Sequence, residues 1–339
     1  MISEIGAVST KVNGEGVLEW IAHCWSCLLQ PVGATEMWAI QNAEGSQVQV
    51  GIIGLGKMGN QIRSLVRAGG IDAIGYDRNE ELSDVPDLDT LLDRLVGART
   101  IWLMLPEGAP TNQTIEYLAS HLPPGDLVID GGNSNFHDSI GHAGRLGSAE
   151  VSFLDVGVSG GIHGIEEGFC LMVGGPASAV RRAQPIFDIL MTPGGFVHVS
   201  ESHGSGHYAK MIHNAVEYGM MQALAEGYEL LEKSPLGLNV PATIGAWRNG
   251  SVVRSWLLDL LSETLEQNAD LSQYPAYAPD SGEGRWSIKE AIDLAVPTPV
   301  ISAALHARLY SRGMGDDSHR AIAALRHAFG GHPLVSGDS

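Results

Sequence analysis

The stretch V-Q-V-G-I-I-G-L-G-K-M-G at residues 48–59 decides the fold of this chain. Val48 to Ile53 is short and nearly all apolar, the pattern of a strand buried on both faces of a parallel sheet. Gly54, Gly56 and Gly59 follow at once, and the text after them reads as a helix to about Arg67. A second apolar strand, Ile71 to Tyr76, ends on Asp77, about 20 residues past the glycines. Strand, glycines, helix, strand and acid in that order make a dinucleotide-binding fingerprint. Gly54 permits the tight turn, Gly56 lets the backbone approach a pyrophosphate, and Gly59 allows close helix packing beside a helix N-terminus that attracts anions.

The side chain at Asp77 bears on the choice of cofactor. A carboxylate there can accept the adenosine ribose hydroxyls and would repel a 2′-phosphate, which favours NAD. Arg78 comes next and could pair with a 2′-phosphate, so NADP stays open. The expected cofactor contacts are Gly54, Leu55, Gly56, Lys57, Met58, Gly59, Asp77 and Arg78, with Leu105, Pro106 and Asn133 from later loops.

Further parallel strands are read at Thr100 to Leu105 and Leu127 to Asp130, and two more strands at Phe153 to Val158 and Phe196 to Val199. The loops Pro106-Glu107-Gly108, Gly131-Gly132-Asn133-Ser134 and Ser159-Gly160-Gly161 lie at strand carboxyl ends, where open parallel sheets bind ligands. Past about His203 the periodicity turns helical, with segments at Pro241 to Arg248, Ser251 to Leu265, Lys289 to Leu294, Pro299 to Tyr310 and Asp317 to Phe329 around a loop from Asp280 to Trp286. The expected class is an α/β Rossmann-like dinucleotide-binding domain (47–203) followed by an all-α C-terminal domain (204–339) for substrate binding and oligomerisation. Residues 1–46 form an extension without a motif.

The helical part opens on G-S-G-H-Y-A-K-M-I-H-N-A-V-E-Y-G from Gly204 to Gly219. As a helix it sets Lys210, Asn214, Glu217 and Tyr218 at i, i+4, i+7 and i+8, a polar stripe on an otherwise apolar and largely buried rod. Buried polar groups need partners, and a ligand in a cleft supplies them.

Composition narrows the ligand. With 39 acidic against 20 basic residues the formal charge is −19, which argues against nucleic acid or an anionic membrane as partner. An anionic substrate must therefore be held by a few placed cations. Three cysteines, two of them in Cys24-Trp25-Ser26-Cys27, make no disulfide framework and point to a reducing cytoplasm. No second Cys pair follows, so no metal is expected. The patch from Val17 to Leu29 contains Glu19 and His23 and has no basic leader, unlike a signal peptide.

Six motifs, G-L-G-K-M-G, D-G-G-N-S, D-V-G-V-S-G-G, K-M-I-H-N-A-V-E-Y-G, S-G-E-G-R-W and R-H-A-F-G-G-H, occur between Val48 and His332 in an order that resembles decarboxylating 6-phosphogluconate dehydrogenases. The short helical part is similar to the short-chain bacterial branch. The resemblance implies oxidation of 6-phospho-D-gluconate to ribulose 5-phosphate and carbon dioxide, with Lys210 as general base and Glu217 as general acid. It also implies a substrate site at Asn133, Ser159, Gly160, Gly161, His213 and Asn214, with Tyr218 and Arg308 at the phosphate. Arg326 and His332 match a tail that reaches a neighbouring subunit's site, which implies a homodimer or homotetramer. One departure stands out. Where long forms carry a lysine and a threonine before Gly-Lys-Trp, this chain has Ser281 and Glu283 before Gly284-Arg285-Trp286. A 3-hydroxyisobutyrate-type 3-hydroxyacid dehydrogenase is the nearest alternative, and a non-catalytic NAD sensor a more distant one.

Overall fold

A computed structural model describes residues 49–312 together with 318, 320–322 and 324. Seven strands form one sheet in the order β2-β1-β3-β4-β5-β6-β7: β1 (Gln49–Ile53), β2 (Asp72–Tyr76), β3 (Thr100–Leu103), β4 (Leu127–Asp130), β5 (Ser152–Ser159), β6 (Phe169–Gly174) and β7 (Met191–Ser200). β1 to β5 pair in parallel, β6 runs antiparallel to β5, and β7 returns parallel to β6. Helices α1 (Lys57–Ala68), α2 (Leu88–Arg94), α3 (Ala109–His121), α4 (Phe136–Gly147), α5 (Gly164–Glu167) and α6 (Ala177–Leu190) fill the connections. Long apolar runs become central strands: β3 and β4 are buried at every position. Ile53, Leu91, Ile101, Leu103, Ile115, Val128 and Phe153 form one core beneath the sheet.

The expected Rossmann-like topology is present, with two differences of detail. β6 is a strand that the sequence pattern does not predict, and β7 is ten residues long rather than the four of Phe196 to Val199. Glycine clusters on both sides of Phe169–Gly174 mask a short strand whose reversed direction no local pattern encodes.

Beyond β7, all described elements are helical: α7 (Ser205–Glu232), α8 (Val240–Trp247), α9 (Trp256–Gln267), α10 (Glu283–Asp293) and α11 (Pro299–Ser311). α8 and α9 pack against the far half of α7 through Val240, Ile244, Leu258 and Leu265. α10 and α11 pack on its middle through Tyr218, Ala304 and Leu305. The expected loop from Asp280 to Trp286 is a loop only to Gly282. Its glycines are structural: Gly282 caps α10 at φ 104°, and a Cβ on Gly284 would come within 2.9 Å of the Tyr218 ring. The expected helix from Asp317 to Phe329 lies mostly outside the described residues. No helix among the described residues is long and apolar enough to cross a membrane.

Candidate active site

The start of α7 is fixed by a buried carboxylate. Asp155 on β5 is fully buried and accepts the Gly204 N–H at 2.7 Å and the His207 N–H at 2.9 Å, satisfying donors that every helix N-terminus leaves open. Gly204 takes φ 88°, open to glycine at little cost. Gly157 and Gly206 then let strand and helix touch: a Cβ on Gly206 would meet the backbone oxygens of Asp155 and Met172. Lys210 follows one turn later, with its stem against Gly157.

A cavity of about 1460 Å³ runs from the fingerprint loop to this helix. Gly54, Gly56, Lys57, Met58, Gly59, Asp77, Arg78, Leu105, Pro106 and Asn133 line one part of it. Ser159, Gly160, Gly161, Lys210, His213, Asn214 and Glu217 line the other. Gly54 and Gly59 are tight, since a Cβ on either would strike backbone oxygen, whereas a Cβ on Gly56 meets nothing within 4 Å. That open space beside the N-terminus of α1 suits a pyrophosphate. Asp77 accepts the Leu55 N–H at 2.6 Å and the Asn79 N–H at 2.8 Å, which holds its carboxylate at the end of β2. The residues present therefore fit a dinucleotide.

Burial pushes the Lys210 amine below its ordinary pKa, while the charges of Glu217, Glu283 and Cys170 push it back up. His213 and Asn214 join in a polar chain: His213 Nδ1 lies 3.0 Å from Asn214 Oδ1, and its Nε2 lies 3.2 Å from Ser159 Oγ.

Four expectations change. Leu55 turns into the core at 1% exposure, so only its backbone serves the loop. α7 is half-buried rather than largely buried: Ile212, Val216 and Met220 are exposed and line the cavity. Glu217, expected to be buried, has a side chain 38% exposed. The polar stripe also divides. At 100° per residue, Asn214 and Glu217 lie within about 40° of Lys210, but Tyr218 is about 80° away. It is 4% exposed beneath α10 and α11, with the Arg308 guanidinium 3.5 Å over its ring and its hydroxyl accepting the Ser281 N–H at 3.2 Å. Tyr218 and Arg308 are thus brought together, but outside the cavity lining. Arg326 and His332 lie outside the described residues.

Sequence reasoning missed two contributions. Trp256 and Leu260 reach the cavity from α9, whose Ser255 N-cap was the available signal. Glu283, 2% exposed, accepts the side-chain amides of Asn133 and Asn214. No group of three or more His, Cys, Asp or Glu residues that could hold a metal occurs among the described residues.

Comparison with known proteins adds independent findings. Residues 49–193 match the model of the NAD binding domain of 6-phosphogluconate dehydrogenase, and residues 206–327 match that of the 6-phosphogluconate dehydrogenase C-terminal domain. The NAD(+)-dependent, decarboxylating 6-phosphogluconate dehydrogenase of Haloferax volcanii is 39% identical over 302 residues, which cover 86% of this chain and 100% of that protein. Among solved structures, Plasmodium falciparum 6-phosphogluconate dehydrogenase, studied with NADP+ and with 6-phosphogluconate, superimposes with a TM-score of 0.72 at 25% identity, over 86% of this chain and 67% of that one. Mycobacterium tuberculosis 3-hydroxyisobutyrate dehydrogenase shares the fold at a TM-score of 0.65 and 21% identity, over 80% of this chain and 95% of that one.

Proposed function

Since the chain belongs to the 6-phosphogluconate dehydrogenase family, we propose that it converts 6-phospho-D-gluconate to D-ribulose 5-phosphate and carbon dioxide with reduction of NAD. The observation that carries this reading is the cavity shared by the fingerprint glycines and by Lys210, Asn214 and Glu217. A nicotinamide cofactor held by Gly54, Gly56, Gly59, Asp77 and Arg78 supplies the hydride acceptor.

The chain's own residues handle protons and orientation. Lys210, whose charged form burial disfavours, takes the C3 hydroxyl proton as the hydride leaves. Protonated, it stands beside the new ketone oxygen and stabilises the negative charge that collects there when carbon dioxide departs. Glu217, seven residues along the same face, returns a proton to C1 of the resulting enediol. His213, Asn214, Ser159 and Asn133 orient the hydroxyls and carboxylate. NAD is preferred over NADP because Asp77 presents a carboxylate where a 2′-phosphate would sit, and the Haloferax relative is named as NAD-dependent.

The same reading gives residues 204–339 substrate binding and oligomerisation, and Tyr218 and Arg308 the phosphate. Arg326 and His332 complete the site of a neighbouring subunit in a homodimer or homotetramer. With few cysteines and a sugar phosphate as substrate, the enzyme works in the cytoplasm. The test is spectrophotometric: purified protein should reduce NAD with 6-phosphogluconate faster than it reduces NADP. Turnover of 3-hydroxyisobutyrate but not of the phosphosugar would refute the proposal.

A further inference from the structure

Glu283 belongs to no part of that mechanism, yet its carboxyl group is almost fully buried beside the site, at 2% exposure. It is the first residue of α10. One of its oxygens, Oε1, accepts from Asn133 Nδ2 and, at 2.9 Å, from Asn214 Nδ2. Asn133 sits after β4 on the dinucleotide side, Asn214 sits on α7, and both line the cavity. A single oxygen thus ties together three elements distant in sequence. The other oxygen, Oε2, is buried without a hydrogen-bond partner among the described residues.

A carboxylate imposes a definite hydrogen-bond pattern on its neighbours. Because one Glu283 oxygen accepts from both asparagines, each must present NH₂ to it and keep its carbonyl oxygen for other partners. Asn214 Oδ1 then accepts from His213, which fixes the proton on Nδ1, where the Glu217 carboxylate 3.9 Å away also favours it. With that tautomer, His213 Nε2 is an acceptor that Ser159 Oγ, 3.2 Å away, can supply with its proton.

We propose that Glu283 is a positioning residue of this site: by accepting the Asn133 and Asn214 amides together, it sets the donor and acceptor pattern of Asn133, Asn214, His213 and Ser159 and so orients a polyhydroxylated acid over Lys210. This rests on the assignment of the cavity to 6-phosphogluconate oxidation. Its charge also acts on Lys210, which faces Glu217 on its own helix, Glu283 on α10 and Cys170 on β6.

Two variants test it. Glu283→Met, similar in length and without an acceptor, should lower kcat/KM for 6-phosphogluconate by about 10- to 100-fold while changing the KM for NAD less than about threefold. Glu283→Gln keeps an Oε1 acceptor and should stay within about fivefold of wild type. Equal losses toward NAD and sugar acid in both variants, or a loss in Glu283→Gln as large as in Glu283→Met, would overturn the proposal. A readout independent of activity separates its failure from that of the functional assignment. Nitrogen-15 spectra should show His213 protonated on Nδ1 in wild type and mixed between nitrogens in Glu283→Met, and an unchanged tautomer would refute the positioning role.

Discussion

Gly157→Ala should disable this site while leaving the fold intact. A Cβ at Gly157 would lie inside 3 Å of the Lys210 Cβ and 3.1 Å from both Lys210 Cγ and the Gly206 carbonyl oxygen. Side chains in ordinary contact stand about 3.5–4 Å apart, so strand and helix must separate by about 1 Å. The opposite face of α7 is packed by α10 and α11 around Tyr218 and Leu305, which limits retreat. Overpacking of this kind costs about 1–3 kcal/mol, a loss of several degrees in melting temperature that a chain of this size survives. The larger effect is on chemistry: displacing a catalytic amine by about 1 Å costs on the order of 10² in rate. Steady-state kinetics and thermal melts on the same preparation provide the assay. The expected result is kcat lowered about 100-fold, NADH binding within a few-fold and a modest melting shift. A kcat near wild type with a lowered melting temperature would show that the Gly157 contact supports stability without placing Lys210.

Gly56→Ala should do the reverse, because a Cβ there meets no protein atom within 4 Å but enters the space assigned to the pyrophosphate. Its melting temperature should match wild type and its KM for NAD should rise about tenfold or more, since each lost tenfold is about 1.4 kcal/mol of binding. Lys210→Met should lower kcat by roughly 10² to 10⁴ with NAD affinity retained, measured by single turnover and dinucleotide fluorescence. Truncation before Arg326 should weaken sugar-acid binding far more than NAD binding; equal effects would indicate misfolding. Acid should destabilise the fold early. Burial lowers the pKa of both His142 and His203 from 6.5, so unfolding takes up protons and their contribution, full above pH 6.5, is lost as pH falls below it. Melting temperatures recorded from pH 8 to 5 at constant ionic strength should drop below about 6.5, and a flat profile would show that neither histidine is held neutral by the fold.

The dinucleotide half was legible because each of its signals is local. Apolar runs, Gly54, Gly56, Gly59 and Asp77 occur in a fixed order, and α7 was visible from its periodicity. What escaped depended on distant partners. Glycines around Phe169 hid β6, since strand direction is set by pairing with β5. Tyr218 reads as part of the polar stripe until α10 and α11 cover it and turn it from the cavity. Glu283 looked like a loop residue at a departure from a family motif. Only the meeting of Asn133 and Asn214, 81 residues apart in sequence, shows what its carboxylate touches.

The most direct test is to follow carbon and hydride together. With 6-phosphogluconate labelled at C1 and NAD in excess, wild-type protein should release one labelled carbon dioxide for each NADH formed, and Lys210→Met should lose both products in proportion. NADH without carbon dioxide, or equal activity in the Lys210 variant, would contradict oxidative decarboxylation by this constellation.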